Sequence, residues 1–147
     1  MKYVFLLISM IFTGSLNAQH TLDMEVVENS GIKNNAGNYF SYPVALMFNE
    51  QGNLINSQVG KKLYVLSNYT QEDNFESHFS SPNLKALLPK LGVSIDSTSK
   101  DKKTIVYIDL LKHCPPCIKI TKKFESEVVG KLDSSYKVIR IDTRMEE

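Results

Sequence analysis

Thr104-Ile105-Val106-Tyr107-Ile108-Asp109-Leu110-Leu111-Lys112-His113-Cys114-Pro115-Pro116-Cys117 is the stretch on which the reading of this 147-residue chain turns. Residues 104–111 are β-branched, aromatic and almost wholly apolar. That is the pattern of a strand buried on both faces, as in a parallel or mixed sheet covered by helices. Downstream, Cys117, Ile120, Phe124 and Val128 recur at helical spacing, with Lys119, Lys122, Lys123, Glu125 and Glu127 outside the stripe. Gly130 lies near the end of that helix. Tyr136-Lys137-Val138-Ile139-Arg140-Ile141 reads as a second strand. Strand, cysteine motif, helix and strand make a βαβ unit over residues 104–142.

Cys114 and Cys117 are the only two cysteines of the chain. A strand that ends in C-P-P-C and turns into a helix places Cys114 at the helix N-terminus. There the free N–H groups and the positive end of the dipole favour a thiolate. Pro115 and Pro116 suit a first turn, where a missing N–H costs little. Cys117 lies one turn along, on the core side. This divides the labour: Cys114 attacks, and Cys117 resolves the mixed disulfide. Lys112 and His113 add positive charge beside Cys114, or His113 is an exposed loop residue. Asp109, in the apolar strand, is either a buried proton acceptor with a raised pKa or a strand-end carboxylate facing solvent.

Spacing bears on the other chemistries of paired cysteines. A c-type haem site needs a histidine directly after the second cysteine, and Ile118 stands there. A zinc site usually takes four ligands, and His20 and His78 have no ligand spacing; no metal site is assigned, and a copper site at His113, Cys114 and Cys117 is underdetermined. A structural disulfide closing so short a loop stabilises little. The redox dithiol is favoured over metal and staple, and it needs no organic cofactor.

Residues 1–18 read as a signal peptide: Lys2, then an apolar run from Tyr3 to Phe12, then Leu16-Asn17-Ala18 before the expected cut. The run is shorter than the about 20 residues of a membrane span, so no stable membrane insertion is expected after cleavage, and the protein is expected in the periplasm or secreted. An uncleaved anchor is the alternative. The remaining residues, 19–147, suffice for one domain with a core. Without Lys2 the chain is close to neutral, which gives no argument for nucleic acid. The charge is uneven: residues 100–147 carry 11 Lys/Arg and 8 Asp/Glu, whereas residues 19–99 carry 5 and 8. The basic excess around the cysteines favours a thiolate or an anionic partner, or is a solvated lysine-rich helix face.

Upstream, residues 19–41 are poorly defined, with a short strand at 22–27. Residues 43–48 and 54–59 flank the turn Asn49-Glu50-Gln51-Gly52-Asn53 and read as a β-hairpin. Residues 62–69 suggest a further strand. Pro82 opens a helix whose face is Leu84, Leu87, Leu88 and Leu91, which Gly92 stops, and Pro89 lies within it. Hairpin and helix together span residues 42–92.

The βαβ unit resembles the active-site unit of thioredoxin-like proteins, and Cys114-Pro115-Pro116-Cys117 is most similar to the exported TlpA-type thiol–disulfide oxidoreductases. The family's usual tryptophan before the first cysteine is His113 here. Its strand carboxylate or amide lies six residues before the first cysteine, whereas Asp109 lies five before Cys114. Tyr42-Pro43-Val44-Ala45-Leu46-Met47-Phe48 resembles the family's cis-proline hairpin, found after the βαβ unit in thioredoxins and before it here. The helix at 81–91 resembles the family's last helix, which shares a face with the motif helix. The resemblance implies a thioredoxin-like three-layer α/β fold with a mixed central sheet and flanking helices. Three chain orders stand open: circularly permuted, truncated, or carrying an unrelated N-terminal region. In the permuted order Tyr42 and Pro43 sit beside Cys114 and present backbone to substrate; otherwise Pro43 only initiates a strand. The function implied is disulfide exchange with protein thiols or disulfides and with an upstream redox partner. The alternative is a redox-inactive thioredoxin-like binding module or metal carrier.

Overall fold

The apolar run before the motif becomes the middle strand of a five-stranded sheet. The computed structural model describes residues 18–34, 42–94, 101–110 and 114–145. Most of the expected signal peptide, residues 1–17, lies outside them. In chain order the elements are β1 (Ala18–Asp23), α1 (Met24–Glu28), β2 (Lys33–Asn34), β3 (Val44–Phe48), β4 (Leu54–Val59), α2 (Ser67–Thr70), β5 (Phe79–Ser80), α3 (Leu84–Lys90), β6 (Lys103–Asp109), α4 (Pro115–Glu127) and β7 (Tyr136–Arg144). Short 3-10 turns at Gly60–Tyr64, Glu72–Asn74 and Val129–Lys131 complete the set. The main sheet runs β1-β7-β6-β3-β4, and β2 and β5 form a small ribbon of their own. β1, β7 and β6 are mutually parallel, while β3 runs antiparallel to both β6 and β4. The sheet is therefore mixed, as the buried, non-alternating pattern of β6 implied: Thr104 to Asp109 are all buried.

Side-chain alternation divides the core into two layers. On one face, Val106 and Ile108 of β6, Leu46 of β3 and Ile139 and Ile141 of β7 pack with Val27 of α1 and Leu87, Leu88 and Leu91 of the α3 segment. On the other, Ile105, Tyr107, Met47 and Val138 pack with Phe124 and Val128 of the α4 segment and with Leu63 and Tyr69. Phe124 is the centre of that second layer. It stacks on Tyr107 with ring centroids 4.2 Å apart and meets Tyr69 edge-on at 5.9 Å. Helical elements on both faces of a mixed sheet make a three-layer α/β arrangement compatible with a thioredoxin-like fold.

Three local readings change, and one pairing is added. Residues 62–69 form no strand. Leu63, Leu66 and Tyr69 recur every third residue, and the chain coils as a 3-10 turn and then α2, so that Leu63 and Tyr69 reach the layer under α4. The expected strand at 22–27 is displaced: the strand is β1, ending at Asp23, and the chain turns helical at Met24. β1 then joins the sheet as an edge strand beside β7, which no local pattern announced. Lastly, α3 packs on the face opposite α4, not beside it as a last helix would. The place beside α4 is already filled by Gly60–Tyr64 and α2. The chain leaves them along the outer edge of β4, where Ser57 N–H donates to Glu76 O at 2.7 Å and His78 N–H to Ser57 Oγ at 2.9 Å. It arrives on the far face, and α3 starts there with Asn83 as its cap, the Asn83 side chain accepting from Lys85 N–H at 3.1 Å.

Candidate functional site

The site lies at the C-terminal ends of β6 and β7, where α4 begins. Pro115 and Pro116 occupy the first two helical positions of α4 and Cys114 its N-cap position, as the missing N–H groups of proline permit. Cys117 N–H donates to Cys114 O at 2.9 Å, closing the first turn. That turn brings the two cysteines to a Cα–Cα distance of 5.2 Å, and they are joined as a disulfide. Their surroundings differ. Cys114 is half-buried and flanked by the exposed Pro115 and Pro116, whereas Cys117 is 1% exposed, on the core side of the helix.

Asp109, the last residue of β6, is 0% exposed. Odd-numbered residues of β6 face α4, so Asp109 lies in the same layer as the motif helix. It is in register with Asp142 of β7, and one Arg140 Nη lies 3.5 Å from its carboxylate. The other Arg140 Nη donates to Glu125 of α4. Burial pushes the Asp109 carboxyl up to about 7; the neighbouring Asp142 carboxyl adds to this and Arg140 opposes it. Behind the network, the hydroxyls of Tyr107 and Thr121 share a 2.8 Å hydrogen bond that ties β6 to α4.

The proline expected to complete the site is at the same end of the sheet. The Tyr42–Pro43 peptide is cis, and Val44, next in the chain, pairs with Ile108. Pro43 is buried. Tyr42 packs against the apolar layer that holds α1 and α3. Burial pushes its phenol up to about 12, the Glu28 charge adds to that, and the Thr143 hydroxyl pulls the other way. The Thr143 hydroxyl itself donates to Asp109 O at 2.5 Å, closing the ends of β6 and β7 together.

Of the residues singled out in the sequence, Cys114, Cys117, Pro115, Pro116, Asp109, Tyr42 and Pro43 thus share one end of the sheet. Lys112 and His113 lie outside the described residues. Among the described residues no three His, Cys, Asp or Glu side chains gather as a metal site would require, and no helix is long and apolar enough to cross a membrane. Arg140, Asp142 and Glu125 were not anticipated. Two signals pointed at them: an arginine inside the apolar run Val138-Ile139-Arg140-Ile141, and an aspartate near the end of each of two strands that a βαβ unit makes parallel.

Fold and site define an α/β protein with a mixed sheet, flanking helices and a C-x-x-C disulfide at a helix N-terminus. No family model, curated protein or solved structure matches the chain.

Proposed function

We propose that this protein is an exported thiol–disulfide oxidoreductase, similar to the TlpA type, that exchanges disulfides with protein thiols or disulfides and is recharged by a redox partner. The observation that carries the reading is the asymmetry of the disulfide: a half-buried Cys114 at the N-terminus of α4, bonded to a buried Cys117. In the reduced form the α4 N-terminus stabilises the Cys114 thiolate. That thiolate attacks one sulfur of a substrate disulfide, forming a mixed disulfide and releasing one substrate thiolate, which takes up a proton. Cys117, deprotonated, then attacks Cys114 Sγ, forming the internal disulfide and releasing the second substrate thiolate. Two electrons pass from the dithiol to the substrate, and the reverse sequence oxidises a substrate dithiol. Asp109, buried in the layer beneath α4 with a carboxyl that titrates near neutrality, suits the acceptor of the Cys117 proton. In this reading Tyr42 and Pro43, at the same end of the sheet, present backbone to substrate.

Equilibrating the protein in graded thiol–disulfide buffers, then trapping free thiols by alkylation, tests the proposal. A single reversible two-electron transition that is absent in Cys114→Ser is expected, together with reduction of an insulin-type disulfide. A protein that shows neither is a redox-inactive binding module.

A further inference from the structure

The charges on α4 are arranged against the stability of the helix itself. A helix is stabilised by acids in its first turn and bases in its last. Here the first turn holds no acidic residue and the last turn no basic one. All three lysines, Lys119, Lys122 and Lys123, precede both glutamates. Lys119 and Lys123 stand four residues apart, a repulsive spacing, and Lys123 precedes Glu127 in the weaker orientation of an ion pair. The glutamates have other partners besides: Glu125 holds Arg140, and Glu127 holds Lys131 at 2.9 Å. Lys119 and Lys122 have no carboxylate partner among the described residues, and the Lys123 ammonium lies over the Tyr64 ring, 4.8 Å from its centroid. Next to these charges Pro115 is exposed beside Cys114, and Ile118, one turn along from it, is 41% exposed.

From this we infer that the exposed face of α4, which carries Pro115 beside Cys114 and then Lys119, Lys122 and Lys123, docks an acidic protein segment that carries the substrate disulfide. The inference rests on the Cys114–Cys117 pair exchanging disulfides, and it adds the substrate's charge. Distance favours the partner over the thiolate as the target of these lysines. At a rise of about 1.5 Å per residue, Lys119 stands ~7 Å and Lys122 and Lys123 ~12–14 Å along the helix from Cys114. Those separations are close to or beyond the screening length of about 8 Å at physiological salt. A segment lying along the helix meets all three at contact distance.

The test uses three synthetic peptide disulfides that differ only in the residues flanking the cysteines: glutamate, glutamine or lysine. Each is mixed with the reduced protein, and the rate of thiol loss is followed. The glutamate peptide is expected to react about tenfold faster than the lysine peptide at low salt, the difference closing at high salt. The triple variant Lys119→Gln, Lys122→Gln, Lys123→Gln is expected to lose that preference. Alkylation by the neutral reagent iodoacetamide reports the reactivity of Cys114 itself. A preference that vanishes only in step with that reactivity would assign the lysines to the thiolate and overturn the docking inference. Equal rates for all three peptides, or a preference that survives in the triple variant, would overturn it too while leaving the oxidoreductase reading standing. No exchange with any peptide overturns both.

Discussion

Replacing Asp109 by asparagine isolates the energetic consequence of a carboxylate buried under α4. The amide keeps the shape of the side chain and removes its titration. In the folded protein the Asp109 carboxyl is raised from 3.8 to about 7, chiefly by burial. A raised carboxyl binds its proton more tightly in the folded than in the unfolded chain. Its stabilising contribution is therefore complete below the unfolded value, declines as pH rises from about 4 through about 7, and stays lost above that. A tenfold difference in proton affinity is worth about 1.36 kcal/mol, so a rise of this size amounts to about 4 kcal/mol. Water reaches Asp142 and the 16% exposed Arg140 side chain, and screening there brings the expected loss to about 2 kcal/mol. The assay is urea denaturation of the oxidised protein, in which no thiol titrates, at pH 5 and pH 8.5. The part of that loss falling between pH 5 and pH 8.5 is expected to lower the stability of the wild type relative to Asp109→Asn by about 1 kcal/mol. A difference that stays constant with pH would refute the reasoning and mean that Asp109 is already ionised at pH 5.

Cys117→Ser should accumulate a mixed disulfide through Cys114 when offered a peptide disulfide, visible as a covalent adduct by mass spectrometry; an equal adduct yield through Cys117 in the Cys114→Ser variant would contradict the assigned roles. Phe124→Leu removes the stacked contact with Tyr107 and the edge contact with Tyr69, and should cost about 2 kcal/mol of unfolding free energy in a denaturant titration. Gly52→Ala meets two obstacles. Gly52 has φ +82°, and a Cβ there would lie 2.6 Å from Asn83 Oδ1, the atom that caps α3. Left-handed strain and a displaced cap together predict a loss of about 2 kcal/mol, again by denaturation; an unchanged midpoint would show that the hairpin turn and α3 are not coupled through Asn83.

The βαβ unit was legible because its signals are local. Six consecutive buried residues, a proline pair and a stripe at 117, 120, 124 and 128 each describe a few turns of chain, and β6 and α4 formed where those signals lay. The hairpin of β3 and β4 was legible for the same reason, since the turn cluster around Gly52 separates two apolar runs. The strand expected at 62–69 failed because Leu63-Tyr64-Val65-Leu66 is apolar at every position, which hides the three-residue spacing of Leu63, Leu66 and Tyr69. Only contact with Phe124 and Val128 decides that Leu63 and Tyr69 turn inward along a coiled path. Asp109 was singled out as a residue, but whether it faced solvent or core depended on α4 lying over it. The network it joins draws Arg140 and Asp142 from β7 and Glu125 from α4.

By itself the sequence determined where the two cysteines lie: three residues apart, with prolines between them and an apolar strand before them, they fall in the first turn of a helix wherever that helix packs. Tertiary structure decided what surrounds them. The edge position of β1 depends on Ala18 meeting Ile139, and the place of the cis Tyr42–Pro43 peptide at the cysteine end of the sheet depends on Val44 meeting Ile108. The face taken by α3 depends on which face the preceding segment had already filled. Hydrogen-bond registers between segments so distant in the chain leave no periodic trace in either segment alone, because what selects them is the area each arrangement buries and the polar groups it leaves paired.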